Sequence, residues 1–380
     1  MAIPRTLFTE EHLLFRDSFV QFLKKEVLIH EEQWAEKGIV PRSIWQRCGE
    51  LGFLCPMADP AYGGLGADFL YEVIIMEELS RHAETGLMLS LHNSLVAPYI
   101  YDYASEELKK ELIPQMVSGE KILSIAMTEP DAGSDLASMK STAIDKGDYW
   151  EITGSKTFIS NGILSDAILV AAKVDPKNPR SMGIFVVDGD AKGLERGRNL
   201  KKLGMHSQDT AELSFDKVKV PKSHVLGDEN MGFLYLMQKL AIERLICAIS
   251  SVANCEGALA ETVAYVKERK AFGKPISKFQ NTKFKLADAH TKTQMARVYI
   301  DRLIALEIEG KLKSEDACGA KMVATDLACQ VTDECLQLFG GYGYMMEYPI
   351  SRRFADARVG KIFAGTNEIM KTIVAKGMEL

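Results

Sequence analysis

The feature that most constrains the fold is a double change of hydrophobic period along the chain. From Thr9, a residue suited to capping a helix, the apolar residues Leu13, Leu14, Phe19, Phe22, Leu23 and Val27 recur at helical spacing, and similar patterns run through 43–54, 68–81 and 105–118. Between Lys121 and Val220 the pattern shortens to β-branched segments such as DAILVAAKV, GIFVVDGD and TAELSFDKVKVP, separated by turn residues. Long helical patterns return after Gly232, over about 232–269, 279–309 and 315–339, broken by Gly273, Pro275 and Gly310. A doubly wound sheet needs strands and helices to alternate, and this order excludes it. The expected architecture is α+β, mainly α. A helical domain spans 1–120, a compact β domain 121–230 and a C-terminal helical bundle 231–380.

A formal net charge of −6 gives no basic field for nucleic acid, and no apolar run approaches membrane-spanning length. The first residues lack the apolar core of a signal peptide and the Arg-rich, acid-poor character of a transit peptide, so a cytoplasmic protein is expected. Seven cysteines form no CxxC pair and the histidines show no ligand spacing, so neither disulfides nor a metal site is expected. Strict GxGxxG and GxxxxGK[ST] patterns are absent, and any nucleotide cofactor must be held in another way.

Local motifs each carry a bland reading beside a functional one. AMTEPDAGSD (126–135) is a turn rich in small residues, which let backbone N–H groups approach a flat or anionic ligand. In GSKTFISNG (154–162), Phe158 and Ser160 share one face of a strand, as a core hairpin or as cover for a heterocycle. Arg269 ends a helix before a Gly-Pro loop, suited to a pyrophosphate or to the helix dipole. QLFGGYGY (337–344) ends a helix in a Gly-Gly cap, and FAGTNEI (363–369) starts one, with Thr366 or Asn367 as cap and Glu368 on the dipole. In the apolar run LAIERLICAI (240–249), Glu243 either pairs with Lys239 one turn earlier or, if buried, takes up a proton or serves a ligand.

Taken together, MTEPDAGSD, SKTFISNG, RKAFGKPISKFQ, QLFGGYGY and AGTNEI resemble the acyl-CoA dehydrogenase family over essentially the whole chain. FISNG, QDTAELSF, EYPI, DARV and GTNEIMK resemble its long-chain branch. The resemblance implies that the β domain is a β-barrel and the C-terminal bundle a four-helix bundle. It implies FAD bound without a Rossmann fold, by Met127, Thr128, Gly133 and Ser134 along the isoalloxazine, with Phe158, Ile159 and Ser160 covering its other side. It implies contacts from Arg269, Phe272 and Gln280, and from Gln337, Leu338, Phe339, Gly340 and Gly341, to the FAD of a neighbouring subunit. Thr366, Asn367 and Glu368 would hold the FAD of their own subunit.

Many members place the catalytic base just before the Gly-Thr pair, where this chain has Ala364. The long-chain and isovaleryl-type branches instead carry it in a Glu-Arg pair that Glu243-Arg244 matches, which makes Glu243 the expected base, its pKa raised by burial. Ser134, Leu234, Ala241, Arg244, Ala364 and Gly365 are the expected substrate contacts. The implied reaction is α,β-dehydrogenation of a medium- or long-chain acyl-CoA to a trans-2-enoyl-CoA, as in fatty-acid β-oxidation. Electrons would pass to an electron-transferring flavoprotein, and the enzyme would be a homotetramer built as a dimer of dimers. The alternatives are a branched short-chain dehydrogenase, a flavin oxidase on the same fold, or a flavoprotein assembly factor without turnover.

Overall fold

The structure is a computed structural model, and it describes residues 3–175, 177–178 and 180–380. The N-terminal domain is helical: α1 (Glu10–Phe22), α2 (Glu31–Lys37), α3 (Arg42–Glu50), α4 (Phe69–Arg81), α5 (Ala97–Tyr103) and α6 (Glu106–Ser118). Thr9 caps α1 in a reciprocal capping box with His12. The helix buries His12, Phe19 and Phe22, whereas Leu13 and Leu14 lie exposed, because its buried face is set by contact with α4 rather than by apolar spacing alone. The α3 helix ends at Glu50, shorter than its apolar pattern.

The middle domain holds β1 (Leu123–Ala126), β2 (Thr142–Asp145), β3 (Tyr149–Ser160), β4 (Ala167–Lys173), β5 (Met182–Asp188), β6 (Leu194–Asn199) and β7 (Thr210–Pro221). The expected barrel takes the form of a curled seven-stranded sheet in the order β1-β4-β2-β3-β7-β6, with β5 also paired to β4. Trp150, Ile152, Phe185, Val187, Leu213 and Phe215 fill one side. On the other, Leu169, Ala171, Ile184 and Val186 pack against Tyr99, Ile100, Leu108 and Leu112 of the N-terminal helices. Both faces of β4 and β5 are therefore buried, which explains why those strands read as continuous apolar runs.

The C-terminal domain is built on α7 (Gly232–Glu268), which leads through the short strands β8 (Lys270–Ala271) and β9 (Lys274–Pro275) into α8 (Gln280–Ile308), then α9 (Ser314–Phe339), α10 (Pro349–Ala357) and α11 (Asn367–Gly377). The α7 helix is its spine. It packs on α9, α8 and α10 and also on α4, so one apolar core joins the two helical domains through Val73, Met76, Ile249, Val252, Ile300 and Val331.

Candidate active site

The α7 helix is half-buried from Lys239 to Ile242 and largely apolar and buried from Glu243 to Ile249, so the Glu243 carboxyl sits mainly among hydrocarbon. Glu243 is 3% exposed and accepts one hydrogen bond, from the Tyr99 hydroxyl at 3.2 Å. Lys239 does not pair with it; its ammonium goes to Asp102 instead. Burial pushes the Glu243 carboxyl up to about 7, against the weaker downward pull of the Tyr99 hydrogen bond and of Arg244. Arg244, one residue on, points away to α9, where Nη1 donates to Ser314 Oγ at 3.2 Å and Cys318 Sγ at 3.3 Å.

Glu243 lies on the wall of a cavity shared by all three domains. Six residues of α7 line it, namely Glu243, Ile246, Cys247, Ser250, Ser251 and Asn254. Their spacing of three, four, seven, eight and eleven marks one stripe of a helix, so the cavity is a slot running along α7. Two chain segments form its sides. From the N-terminal domain come the end of α4, the following loop and a π-helical turn, Leu91–Val96, which contributes Leu91 and Leu95. From the C-terminal domain comes the stretch from Arg353 to Ala364, running antiparallel to α7. Arg353 meets Asn254, a Cβ at Gly360 would lie 4.0 Å from Ser251 Oγ, and Gly365 is tied to α9 beside Cys247 by Lys321.

The middle domain supplies Met127 and Thr128 from the end of β1, and Phe158, Ile159 and Ser160 from the end of β3. The pairing of β3 with β7 shifts register between Lys156 and Ile159, and Phe158 takes a left-handed conformation, φ 60°, in that bulge. The bulge leaves Phe158 68% exposed while Ile159 stays buried. Simple strand alternation does not predict that displacement.

Ala364, itself at φ 51°, lines the same slot as Glu243 and is followed by Gly365 at φ 90°. Such a turn needs support, and fully buried Lys321 on α9 gives it: Nζ donates to the Gly365 carbonyl at 2.7 Å and to Asn367 Oδ1 at 3.1 Å. Thr366 caps α11, accepting from the Ile369 N–H at 3.4 Å. The Asn367 side chain is buried among Lys321, Thr325 and Asp326, and Glu368 is exposed in the first turn.

A second, more open recess lies on the C-terminal domain. Arg269, Gln337, Leu338, Phe339, Gly340 and Gly341 line it, with the Arg269 guanidinium 5.3 Å from the centre of the Tyr342 ring. Phe272 and Gln280 are outside it and exposed, Phe272 by 95%. Gly133, Ser134, Leu234, Ala241 and Arg244 lie on neither cavity wall: the first three are exposed and Arg244 is buried against α9.

The sequence reading missed Tyr99, Lys321 and the slot residues from α4 to Leu95. A signal for part of the slot was present, because Ser250, Ser251 and Asn254 interrupt an apolar helix at turns counted from Glu243.

The whole chain resembles known proteins. Residues 9–120, 124–218 and 230–379 match the N-terminal, middle and C-terminal domains of acyl-CoA dehydrogenases. The chain is 44% identical over 376 residues to the mitochondrial long-chain specific acyl-CoA dehydrogenase of Sus scrofa, covering 98% of this chain and 87% of that protein. Its structure is similar to the crystal structure of an acyl-CoA dehydrogenase from Geobacillus kaustophilus, with a TM-score of 0.97 and 48% identity over 99% of this chain and 100% of that one. It is also similar to a glutaryl-CoA dehydrogenase from Mycobacterium smegmatis in complex with FADH2, with a TM-score of 0.92 and 27% identity over 98% and 95% of the two chains. With matching domains along nearly its whole length, the chain belongs to the acyl-CoA dehydrogenase family.

Proposed function

We propose that the protein is an FAD-dependent dehydrogenase of medium- or long-chain acyl-CoA thioesters, with Glu243 as the base that removes the α-proton. The observation that carries this reading is a buried carboxyl, pushed up to about 7, on the wall of a slot that all three domains build. A base near neutrality is matched to taking a proton at physiological pH. Ala364 leaves room in front of the carboxylate, and its backbone N–H is the candidate donor to the thioester oxygen. Leu91, Leu95 and Ile246 exclude water from the reacting carbons. The slot follows α7 from Glu243 to Asn254, eleven residues or about 16 Å at 1.5 Å per residue, room for a medium or long chain.

The residues present fit a flavin dinucleotide. Met127, Thr128, Ile159 and Ser160 stand together on the slot wall as cover for an isoalloxazine. In the separate recess Gly340 and Gly341 leave open backbone beside Arg269, where an added Cβ would meet nothing within 4 Å, suited to the pyrophosphate of a neighbouring subunit's FAD. An isoalloxazine held against Met127, Thr128, Ile159 and Ser160 would supply the acceptor for the hydride lost from the β-carbon. The recess is open and leaves Phe272 and Gln280 outside it, which favours a homotetramer in which these residues meet a neighbour's FAD. Transfer of electrons to an electron-transferring flavoprotein completes the reading, as do domain divisions at 120/121 and 230/231. No helix among the described residues is long and apolar enough to cross a membrane. Seven unpaired thiols favour a reducing compartment, and we assign the cytoplasm.

The test is anaerobic titration of the purified protein with a panel of acyl-CoA thioesters, following flavin absorbance. Bleaching by medium- and long-chain thioesters, without oxygen consumption in aerobic turnover, is the expected result. Failure of every acyl-CoA to bleach the flavin would rule the reading out, and rapid oxygen uptake would make the protein an oxidase.

A further inference from the structure

The two ends of the slot differ in chemistry. Beside Glu243 its wall is Ile246, Leu91 and Leu95; two to three turns along α7 it becomes Ser250, Ser251 and Asn254. That far end is closed by a knot joining all three domains, in which Asp356 accepts from the Thr85 hydroxyl at 3.1 Å and from the Met205 N–H. Arg353, 1% exposed, is bound there through every arm: to Glu261, to the Ser80 and Arg81 carbonyls, and from Nη1 to Asn254 Oδ1 at 2.8 Å.

The last contact orients Asn254. With its amide oxygen committed to Arg353, its Nδ2 donors have no acceptor among the described residues, and Asn254 lines the slot one helical turn from Ser250 on the same stripe. Glu84 stands at the same end, 2% exposed, with Oε1 accepting from the Gly86 and Leu87 N–H groups at 2.7 Å each and Oε2 without a partner among the described residues. An end built only for a methyl group has no use for these groups, because a buried polar atom facing hydrocarbon forfeits its hydrogen bonds.

We propose that the far end of the slot is a polar subsite, formed by Ser250 and Asn254, for acyl-CoA thioesters whose chain ends in a hydroxyl group. The proposal rests on the reading of the slot as the acyl site. A terminal carboxylate is disfavoured, because it would face Glu84 and Asp356 while the donors of Arg353 are already spent. A hydroxyl is neutral, accepts from Asn254 Nδ2 and exchanges a hydrogen bond with Ser250 Oγ. The span of about 16 Å along α7 sets the length, since each bond of an extended chain advances about 1.3 Å and about a dozen carbons then reach from Glu243 to Asn254.

The test uses the intact flavoprotein and two unreactive thioethers, S-dodecyl-CoA and S-(ω-hydroxydodecyl)-CoA, with binding read by calorimetry so that no turnover is required. The hydroxylated thioether should bind at least about tenfold more tightly, because a site built to hydrogen-bond a hydroxyl discriminates against the analogue lacking it. Asn254→Asp keeps an oxygen for Arg353 and removes the free donor, and Ser250→Val leaves the Glu84 contacts in place; each should reduce the preference to about threefold or less. Equal affinities, tighter binding of the methyl-ended thioether, or a preference unchanged in both variants would overturn the subsite, as would no binding of either. A clear preference in a protein whose flavin no acyl-CoA bleaches would uphold the subsite and refute the dehydrogenase reading.

Discussion

Glu77 on α4 and Glu243 on α7 are both buried in the core that joins the two helical domains, and burial acts on both to favour the neutral acid. Around Glu77, Arg297, Arg5 and Arg81 overcome that push and hold the carboxyl at about 2, through contacts of 2.8 Å from Arg297 and 2.7 Å from Arg5. Around Glu243 there is one hydroxyl and an arginine turned the other way, and the carboxyl rises to about 7. One carboxylate is part of an ion network tying residue 5 to α4, α7 and α8; the other is kept free to change its charge. Surroundings, not burial, separate a structural carboxylate from a candidate base.

The comparison breaks most visibly if the two residues are exchanged in their effects. Glu77→Ala leaves buried Arg297 and half-buried Arg5 and Arg81 short of a partner and should cost about 3–5 kcal/mol of stability, measured by urea unfolding. The rate of flavin reduction per folded molecule should be little changed. Glu243→Gln should do the reverse, slowing flavin bleaching by an acyl-CoA in stopped flow by at least ~100-fold while unfolding at no lower urea concentration. A stable Glu77→Ala protein, or a Glu243→Gln protein that reduces flavin at the wild-type rate, would show that the geometry has been assigned the wrong roles.

The pH dependence of stability sharpens the contrast, because the two shifts have opposite signs. The Glu77 carboxyl is lowered in the fold from an ordinary 4.5, so its contribution is complete above pH 4.5 and is lost as pH falls towards 2. The Glu243 carboxyl is raised, so the folded state holds a proton that the unfolded chain has released. Its contribution is complete below pH 4.5, declines between 4.5 and about 7, and stays low above that. A single group gives a slope of roughly 1.4 kcal/mol per pH unit inside its window. Glu243→Gln should therefore gain stability relative to wild type on going from pH 5 to pH 8, while Glu77→Ala should approach wild type only in strong acid. Parallel stability curves for wild type and Glu243→Gln across pH 5–8 would remove the case for a raised carboxyl.

The same two residues show how much the sequence disclosed. Glu243 stood out because a charge in an apolar helix is improbable unless it is used, and the helices, the β third and the Thr9 and Thr366 caps follow from period and local hydrogen bonding. Glu77 did not stand out, since its partners Arg5 and Arg297 lie 72 and 220 residues away and only tertiary packing unites them. Tyr99 and Lys321 escaped notice for the same reason, and so did the bulge that swings Phe158 outward, which depends on register with β7. Motifs carried the local shape of the site. Its depth, the polarity of its far end and the support behind Ala364 depend on contacts between distant segments.

The smallest expected effect tests the one hydrogen bond that Glu243 keeps. The Tyr99 hydroxyl donates to Oε1 at 3.2 Å and so favours the carboxylate, a downward pull opposing burial. Tyr99→Phe removes that donor with little change of shape. A hydrogen bond worth about 0.5–1.5 kcal/mol corresponds to at most about one pH unit, so the ascending limb of flavin reduction against pH should move upward by up to that amount. Near pH 6 the variant should be slower, because less of the base is ionised. Above pH 9 the difference should vanish or reverse, since a carboxylate stripped of its donor is the stronger base. A limb that moved downward would mean that Tyr99 favours the protonated acid. A limb that disappeared in Glu243→Gln but did not move in Tyr99→Phe would mean that bound acyl-CoA draws Glu243 away from Tyr99 before the proton is taken.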